Sequence, residues 1–315
     1  MNQNFNLNPN YVATEFSNGT AALHPLWITG FTDGEGCFTI SINRNPKLKI
    51  GWRIKQFFKI SLHKKDKALL EYIQNYLGVG NIIKHGPQSI QFQVQSVEDL
   101  KVIINHFDKY PLITQKRADY ELFKQAVELM EQKEHLTPEG LAKIVALKAS
   151  MNTGLSEELK AAFPEILPVS RPSVLNSKIK DPHWLAGFTS GEGCFLVNII
   201  NSSSCRLGFQ VQLVFQLTQH SRDEQLMRSL VEYVGCGKYY TRSGKNFGEF
   251  LVSTISDITD KIIPFFQNFP VQGIKRLDYL DWCKVAELMK NQDHLTVEGL
   301  EQIRTIKVGM NKGRS

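Results

Sequence analysis

The sequence predicts an α+β fold made of two pseudo-symmetric copies of an αββαββα unit, each a four-stranded antiparallel sheet backed by helices. Three observations predict it: a long internal repeat, a polar/apolar alternation of period two at matching places in both copies, and helical patterns between and after those strands. Residues 26–38, LWITGFTDGEGCF, return at 183–195 as HWLAGFTSGEGCF, with nine of thirteen positions identical. ELMEQKEHLTPEGL at 128–141 returns at 287–300 as ELMKNQDHLTVEGL, nine of fourteen identical, the offset having drifted from 157 to 159. Between these blocks HKKD at 63–66 answers HSRD at 220–223, and Lys116-Arg117 answers Lys275-Arg276. Units of roughly 130 residues are too long for a solenoid repeat and fit a duplicated domain. The expected boundaries are a polar leader at 1–20, an N-terminal domain at 21–151, a Pro- and Ser-containing linker at 152–180 and a C-terminal domain at 181–315. A fused pseudo-dimer of this kind is expected to act as a monomer.

Each element has its own signal. The first helix starts at Pro25 in one copy and at Asp181-Pro182 in the other, an N-cap and first-turn signature, and ends at Gly-Glu-Gly. A strand follows in which Arg53, Lys55, Phe57, Lys59 and Ser61 alternate with Ile54, Gln56, Phe58 and Ile60; Gln210, Gln212 and Gln216 alternate likewise with Phe209, Val211, Leu213 and Phe215. Helical patterns occupy about 66–77 and 223–234, and a hairpin comes next, its second strand in copy one setting Ser89, Gln91, Gln93 and Gln95 against Ile90, Phe92 and Val94. Helices close each copy, with His135 and His294 read as structural residues before the caps Thr137 and Thr296. One sheet face is therefore apolar and covered by helices, the other polar and open. Strands of about ten residues would span about 33 Å, about ten base pairs of duplex, so two copies would cover on the order of twenty.

Composition supports a globular chain and removes several function classes. At 42% apolar and 22% charged, the 315 residues suit two ordinary domains, and no stretch approaches the ~18 consecutive apolar residues of a membrane-spanning helix. The N-terminal twenty residues carry neither a secretory signal pattern nor the arginines of a transit peptide. Five cysteines in no CxxC or CxxH spacing predict free thiols and no zinc site, with Cys37 and Cys194 expected as small core residues. The GEG triplets lack the GK[ST] of a phosphate-binding loop, so no nucleotide cofactor is expected.

The net charge of +6 is unevenly placed: residues 36–65, 79–96, 193–222 and 235–248 contain no Asp or Glu, and these 92 residues carry +14 while the remaining 223 carry −8. An acid-free face of Arg, Lys, Gln, Asn, Ser and Thr on an antiparallel sheet suits double-stranded DNA, because these side chains read phosphates and base edges. The expected DNA-binding residues in copy one are Arg44, Lys47, Lys49, Arg53, Lys55, Lys59, Lys84, Gln91, Gln93 and Gln95. In copy two they are Arg206, Gln210, Gln212, Gln216, Lys238, Arg242 and Lys245.

The sharpest chemical signal is the doubled Gly-Glu-Gly. Gly30 and Gly34, and Gly187 and Gly191, lie four apart on one helical face, where missing side chains let two helices touch. That seam brings Glu35 and Glu192 side by side at helix C-termini, where two anions repel unless a cation intervenes. Hard oxygen ligands of this type suit Mg²⁺ together with waters and a substrate phosphate, which points to a two-metal-like phosphodiester hydrolysis site, and Ca²⁺ is expected to support binding without efficient cleavage. Position 33 is Asp but its partner 190 is Ser, so the glutamates and not Asp33 are read as the metal ligands.

WITGFTDGEGCF and WLAGFTSGEGCF resemble the signature helix of the LAGLIDADG homing endonucleases, and KRADY and KRLDY resemble the single-chain, intron-encoded members of fungal mitochondrial genomes. The resemblance covers nearly the whole chain. It implies that Glu35 and Glu192 bind metal with the backbone carbonyls of Gly34 and Gly191, and that saddle-shaped sheets straddle a long asymmetric DNA site cut on both strands with 3′ overhangs. It also implies a mitochondrial location, active-site roles for Lys116 and Lys275, and a water-orienting role for Gln219, whose partner in copy one is Leu62. An intron RNA maturase and a non-catalytic DNA-binding protein on the same scaffold remain open as alternatives; the intact pair of glutamates favours the endonuclease.

Overall fold

The computed structural model describes residues 23–175 and 178–314, so the predicted polar leader lies outside the described residues. The first repeat runs α1 (Pro25–Glu35), β1 (Gly36–Arg44), β2 (Trp52–His63), α2 (Lys67–Leu77), β3 (Asn81–Lys84), β4 (Ser89–Val94), α3 (Val97–Lys109), α4 (Lys116–Glu131) and α5 (Pro138–Ala149), after which comes the short α6 (Glu157–Ala162). The second runs α7 (Pro182–Glu192), β5 (Gly193–Asn201), β6 (Phe209–His220), α8 (Glu224–Val234), β7 (Lys238–Thr241), β8 (Phe247–Val252), α9 (Ile255–Asp257), a π-helical turn (Ile258–Ile262), α10 (Ile263–Asn268), α11 (Ile274–Lys290) and α12 (Val297–Val308). Each repeat forms a four-stranded antiparallel sheet, ordered β1-β2-β4-β3 and β5-β6-β8-β7. The two sheets agree with the expected α+β duplication. The outer strands are shorter than the ten residues expected, with four in β3 and β7 and six in β4 and β8.

Alternation sorts the faces. Phe38, Ile40 and Ile42 of β1 and Ile54, Phe58 and Ile60 of β2 are buried, and the same parity buries Phe195 and Val197 against Val211, Leu213 and Phe215. The two cores repeat one aromatic arrangement. Phe38 packs on Phe58, Phe107, Tyr120 and Phe123; Phe195 packs on Phe215, Phe266, Tyr279 and Trp282. The segment after α5 carries α6 and packs Leu155, Leu159, Phe163, Ile166 and Val169 against the first core.

The repeats meet where α1 packs on α7. A Cβ on Gly30 would fall 1.9 Å from the Trp184 carbonyl oxygen, and one on Gly187 would fall 2.0 Å from that of Trp27. Only glycine permits this backbone contact, and it occurs twice with two-fold reciprocity. At the start of the helices the His24 Nδ1 accepts the Leu26 amide and the Asp181 carboxylate accepts the His183 amide, while the two imidazoles stack at 3.7 Å. Asp181 also bonds the His183 Nδ1, so these ring nitrogens serve capping and stacking at the end of the seam opposite the glutamates.

The symmetry breaks at position 33. Asp33, buried, accepts from the Ile113 and Thr114 amides, the Thr114 hydroxyl and, across the seam, Trp184 Nε1 at 2.7 Å. Ser190 in its place bonds the Ala186 carbonyl and the Gln272 amide, and Trp27 Nε1 finds no acceptor among the described residues.

Candidate active site and nucleic-acid interface

Both signature helices end on a glutamate, and the strand that follows begins at a buried glycine: Gly36 and Gly193 leave the helices in extended conformation, and a Cβ there would strike Thr32 or Thr189. This turn holds the glutamates at the seam. Glu192 Cγ lies 3.3 Å from the point a Cβ on Gly34 would occupy, and Glu35 Cγ lies 3.2 Å from the equivalent point on Gly191. Each carboxylate side chain thus rests over the glycine preceding the other. Burial raises both carboxyls above the ordinary carboxylate range; Glu35 raises Glu192 further, and Lys116 and Lys275 pull both down.

The lysines come from the first turns of α4 and α11. Lys116 Nζ donates to the Thr32 and Gly34 carbonyls at 2.9 and 2.8 Å, and Lys275 Nζ donates to the Gly191 carbonyl. Desolvation lowers both ammonium groups from their usual range, against the opposing pull of Asp33 and the glutamates on Lys116, and of Glu35, Cys194 and Glu192 on Lys275. The carbonyls of Gly34 and Gly191 therefore each face a lysine Nζ. Two carboxylates and two such carbonyls form a hard-oxygen set of the kind a divalent cation takes.

Gln219 lies two residues beyond the Leu217–Gly193 pair, and its Oε1 accepts the His220 amide at 2.8 Å. Parity puts it on the helix-covered side of β6, as it puts Leu62 in β2.

The open face of the first sheet carries Arg53, Lys55, Phe57 and Lys59 on β2, with Gln91 and Gln93 beside them on β4. Gln91 donates to Ser61 Oγ at 2.8 Å, and Lys59 Nζ sits 4.3 Å over the Phe57 ring. Lys47 and Lys49 are exposed in the β1–β2 turn, and Gln95 is exposed just past β4. Two expected members are elsewhere. Arg44 pairs with Trp52, on the helix side, where its guanidinium stacks 5.0 Å from the indole and pairs with Glu158 of α6. Lys84 stands opposite Ile90, so the register turns it from the open face and leaves Asn81 and Ile83 there. Cys37, expected in the core, is exposed because Phe38 takes the inward place, and Cys194, half-buried, has the same parity.

The second sheet presents Gln210, Gln212 and Gln216 with Asn198, and apolar Leu196, Val214 and Leu251 among them. Lys238 shares this face, and Arg206 and Lys245 are exposed in the two hairpin turns. Sequence reasoning missed Glu249. It is buried on the open face, accepts from Gln216 Nε2 at 2.9 Å and holds Arg242 through Nε at 2.6 Å. The acid-free run at 235–248 stops one residue short of it.

A family model described as LAGLIDADG endonuclease matches residues 28–127 and 185–286, one match per repeat. A probable intron-encoded endonuclease 3 of Neurospora crassa is 45% identical over 289 residues, covering 91% of this chain and 54% of the relative. The chain thus spans about half the length of that curated relative. The crystal structure of the I-SmaMI LAGLIDADG homing endonuclease bound to cleaved DNA superposes with a TM-score of 0.92 at 49% identity, over 93% of this chain and 98% of that one. I-SmaMI bound to an uncleaved DNA target in the presence of calcium ions gives 0.91 at 49%, over 92% and 100%.

Proposed function

Because the chain belongs to the LAGLIDADG endonuclease family, we propose that it is a site-specific double-strand DNA endonuclease. It acts as a monomer on an asymmetric duplex of roughly twenty base pairs and cuts both strands with Mg²⁺, leaving 3′ overhangs. The observation that carries this reading is the doubled carboxylate–ammonium site at the α1/α7 seam, set between two open-faced sheets. Neither a maturase nor a passive DNA binder requires two half-buried carboxylates facing each other there. Glu35, Glu192 and the Gly34 and Gly191 carbonyls would hold the divalent metal, which when bound supplies Lewis-acid charge at the scissile phosphates. Lys116 and Lys275, which donate to the same carbonyls, would stabilise the developing phosphorane charge. Gln219 would orient the attacking water in one half-site after releasing the His220 amide, whereas Leu62 offers no such group, so the two half-sites are chemically unequal. The protein acts in mitochondria, as expected of an intron-encoded relative of the fungal enzymes.

The test is cleavage of a target selected from a randomised duplex library in Mg²⁺. Glu35→Gln or Glu192→Gln should abolish double-strand cleavage while duplex affinity stays within about tenfold, since phosphate contacts remain. Ca²⁺ should support binding with little hydrolysis. Retained cutting in either variant would overturn the assignment.

A further inference from the structure

The acid-free stretches 36–65 and 193–222 end at Asp66 and Asp223, the last residues of the HKKD and HSRD tetrads. Each stands at the N-cap position of its own helix, α2 or α8, where aspartate normally accepts an amide of the first turn, yet neither makes that bond. Their carboxylates cross the seam instead. Asp66 Oδ1 accepts the Ile274 amide at 2.7 Å, and Asp223 Oδ1 accepts the Gln115 amide at 2.7 Å. These amides open α11 and α4, two helices whose own N-cap residues, Gly273 and Gln115, provide no side-chain cap. The residue after each capped amide is Lys275 or Lys116.

Resting on the reading of those lysines as active-site groups, we propose that Asp66 and Asp223 are positioning residues. Each sets the lysine that belongs to the other repeat. Gly273 supports this: its φ is +71° and a Cβ there would lie 2.5 Å from Asp66 Oδ1, so the approach of the aspartate requires the missing side chain. The exchange also ties the two half-sites together, because an amide at the start of each lysine helix is accepted by a carboxylate of the partner repeat.

The two sides are not equally supported. The start of α4 is also held by Thr114, whose hydroxyl accepts the Lys116 amide and donates to Asp33, and Lys116 Nζ has two carbonyl acceptors. Among the described residues Lys275 Nζ donates to the Gly191 carbonyl alone. Loss of Asp66 therefore disturbs its lysine more than loss of Asp223 does.

The experiment uses Asp66→Ser and Asp223→Ser, since serine can cap α2 or α8 locally but cannot reach across the seam, with Asp66→Asn and Asp223→Asn as variants that keep an acceptor. Strand-resolved cleavage of the selected target in Mg²⁺ should show Asp66→Ser slowing one strand at least tenfold and Asp223→Ser slowing the other by less. Duplex Kd should stay within threefold and the asparagine variants should regain most of the rate. In metal-free protein without DNA, acetylation read by mass spectrometry should label Lys275 faster in Asp66→Ser and Lys116 faster in Asp223→Ser. This arm is independent of cleavage chemistry. Equal slowing of both strands by each serine variant, or a labelling pattern identical to wild type, would overturn the proposal.

Discussion

His106 shows what enclosure does to a single ionisable group. It is 8% exposed, its ring nitrogens lie 3.4 Å from the Thr29 hydroxyl and the Tyr76 hydroxyl, and burial pulls its pKa down to about 4. The unfolded chain takes up a proton near pH 6.5 that the folded protein refuses. Stability from this residue is thus complete above about 6.5 and is lost as pH falls through that value toward 4, about 2 kcal/mol having gone by pH 5. The matching position in the second repeat is Phe265, which makes His106→Phe the natural comparison. Denaturant midpoints at pH 7 and 5 should differ less in that variant than in wild type; an unchanged difference would refute the attribution. The residues legible in the sequence are those whose neighbours repeat with them: Glu35, Glu192, Lys116 and Lys275 all sit inside motifs duplicated at a nearly constant offset. Asp66 and Asp223 also repeat, in HKKD and HSRD, but their role was not legible, nor was that of Glu249, because their partners lie on other strands or across the seam. Arg44 continues the inward parity of Phe38, Ile40 and Ile42, and Lys84 takes its face from its pairing with Ile90, neither of which positive charge alone reveals.

The α1/α7 pair was the most legible element because glycine spacing and duplication state the same contact twice. Its two glycine levels have different tolerances. At Gly30 and Gly187 the obstruction is the partner's backbone, within 2.0 Å, whereas at Gly34 the nearest atom is the flexible Glu192 side chain at 3.3 Å. Gly30→Ala or Gly187→Ala must push the helices apart and should destabilise by about 3 kcal/mol or more. Gly34→Ala should fold with a loss under about 1 kcal/mol and should disturb cleavage instead. Chemical denaturation distinguishes them, and equal stability of Gly30→Ala and wild type would contradict the packing. The elements that escaped prediction have local physical causes. α6 packs onto the first core from a stretch whose prolines and serines read as a linker. The π-helical turn precedes Pro264, which has no amide to donate to a helical ladder, whereas α3 at the corresponding place runs unbroken for thirteen residues.

Taken together, the two sheets are alike in topology and unlike in chemistry. The first presents Arg53, Lys55 and Lys59 where the second presents Gln210, Gln212 and Gln216, and residues 36–65 hold eight Lys and Arg against two in 193–222. Leu196 and Leu251 on the second face add apolar surface suited to thymine methyl groups. Gln216 is held by Glu249 and Thr218, so Gln210 and Gln212 are the amides on which adenine readout should depend. The first repeat should therefore supply most of the phosphate and guanine contacts and the salt dependence of binding. Arg53→Ala or Lys55→Ala should cost about 1 to 3 kcal/mol and either flatten the salt slope by about one or relax base preference in one half-site. Gln210→Ala and Gln212→Ala should change base preference in the other half with the slope unchanged, because an amide releases no counterion. The measurement is duplex affinity across a salt series on half-site variants of the selected target. Equal slope changes in both sets, or base preferences mapping to the same half, would contradict the division of labour between the sheets.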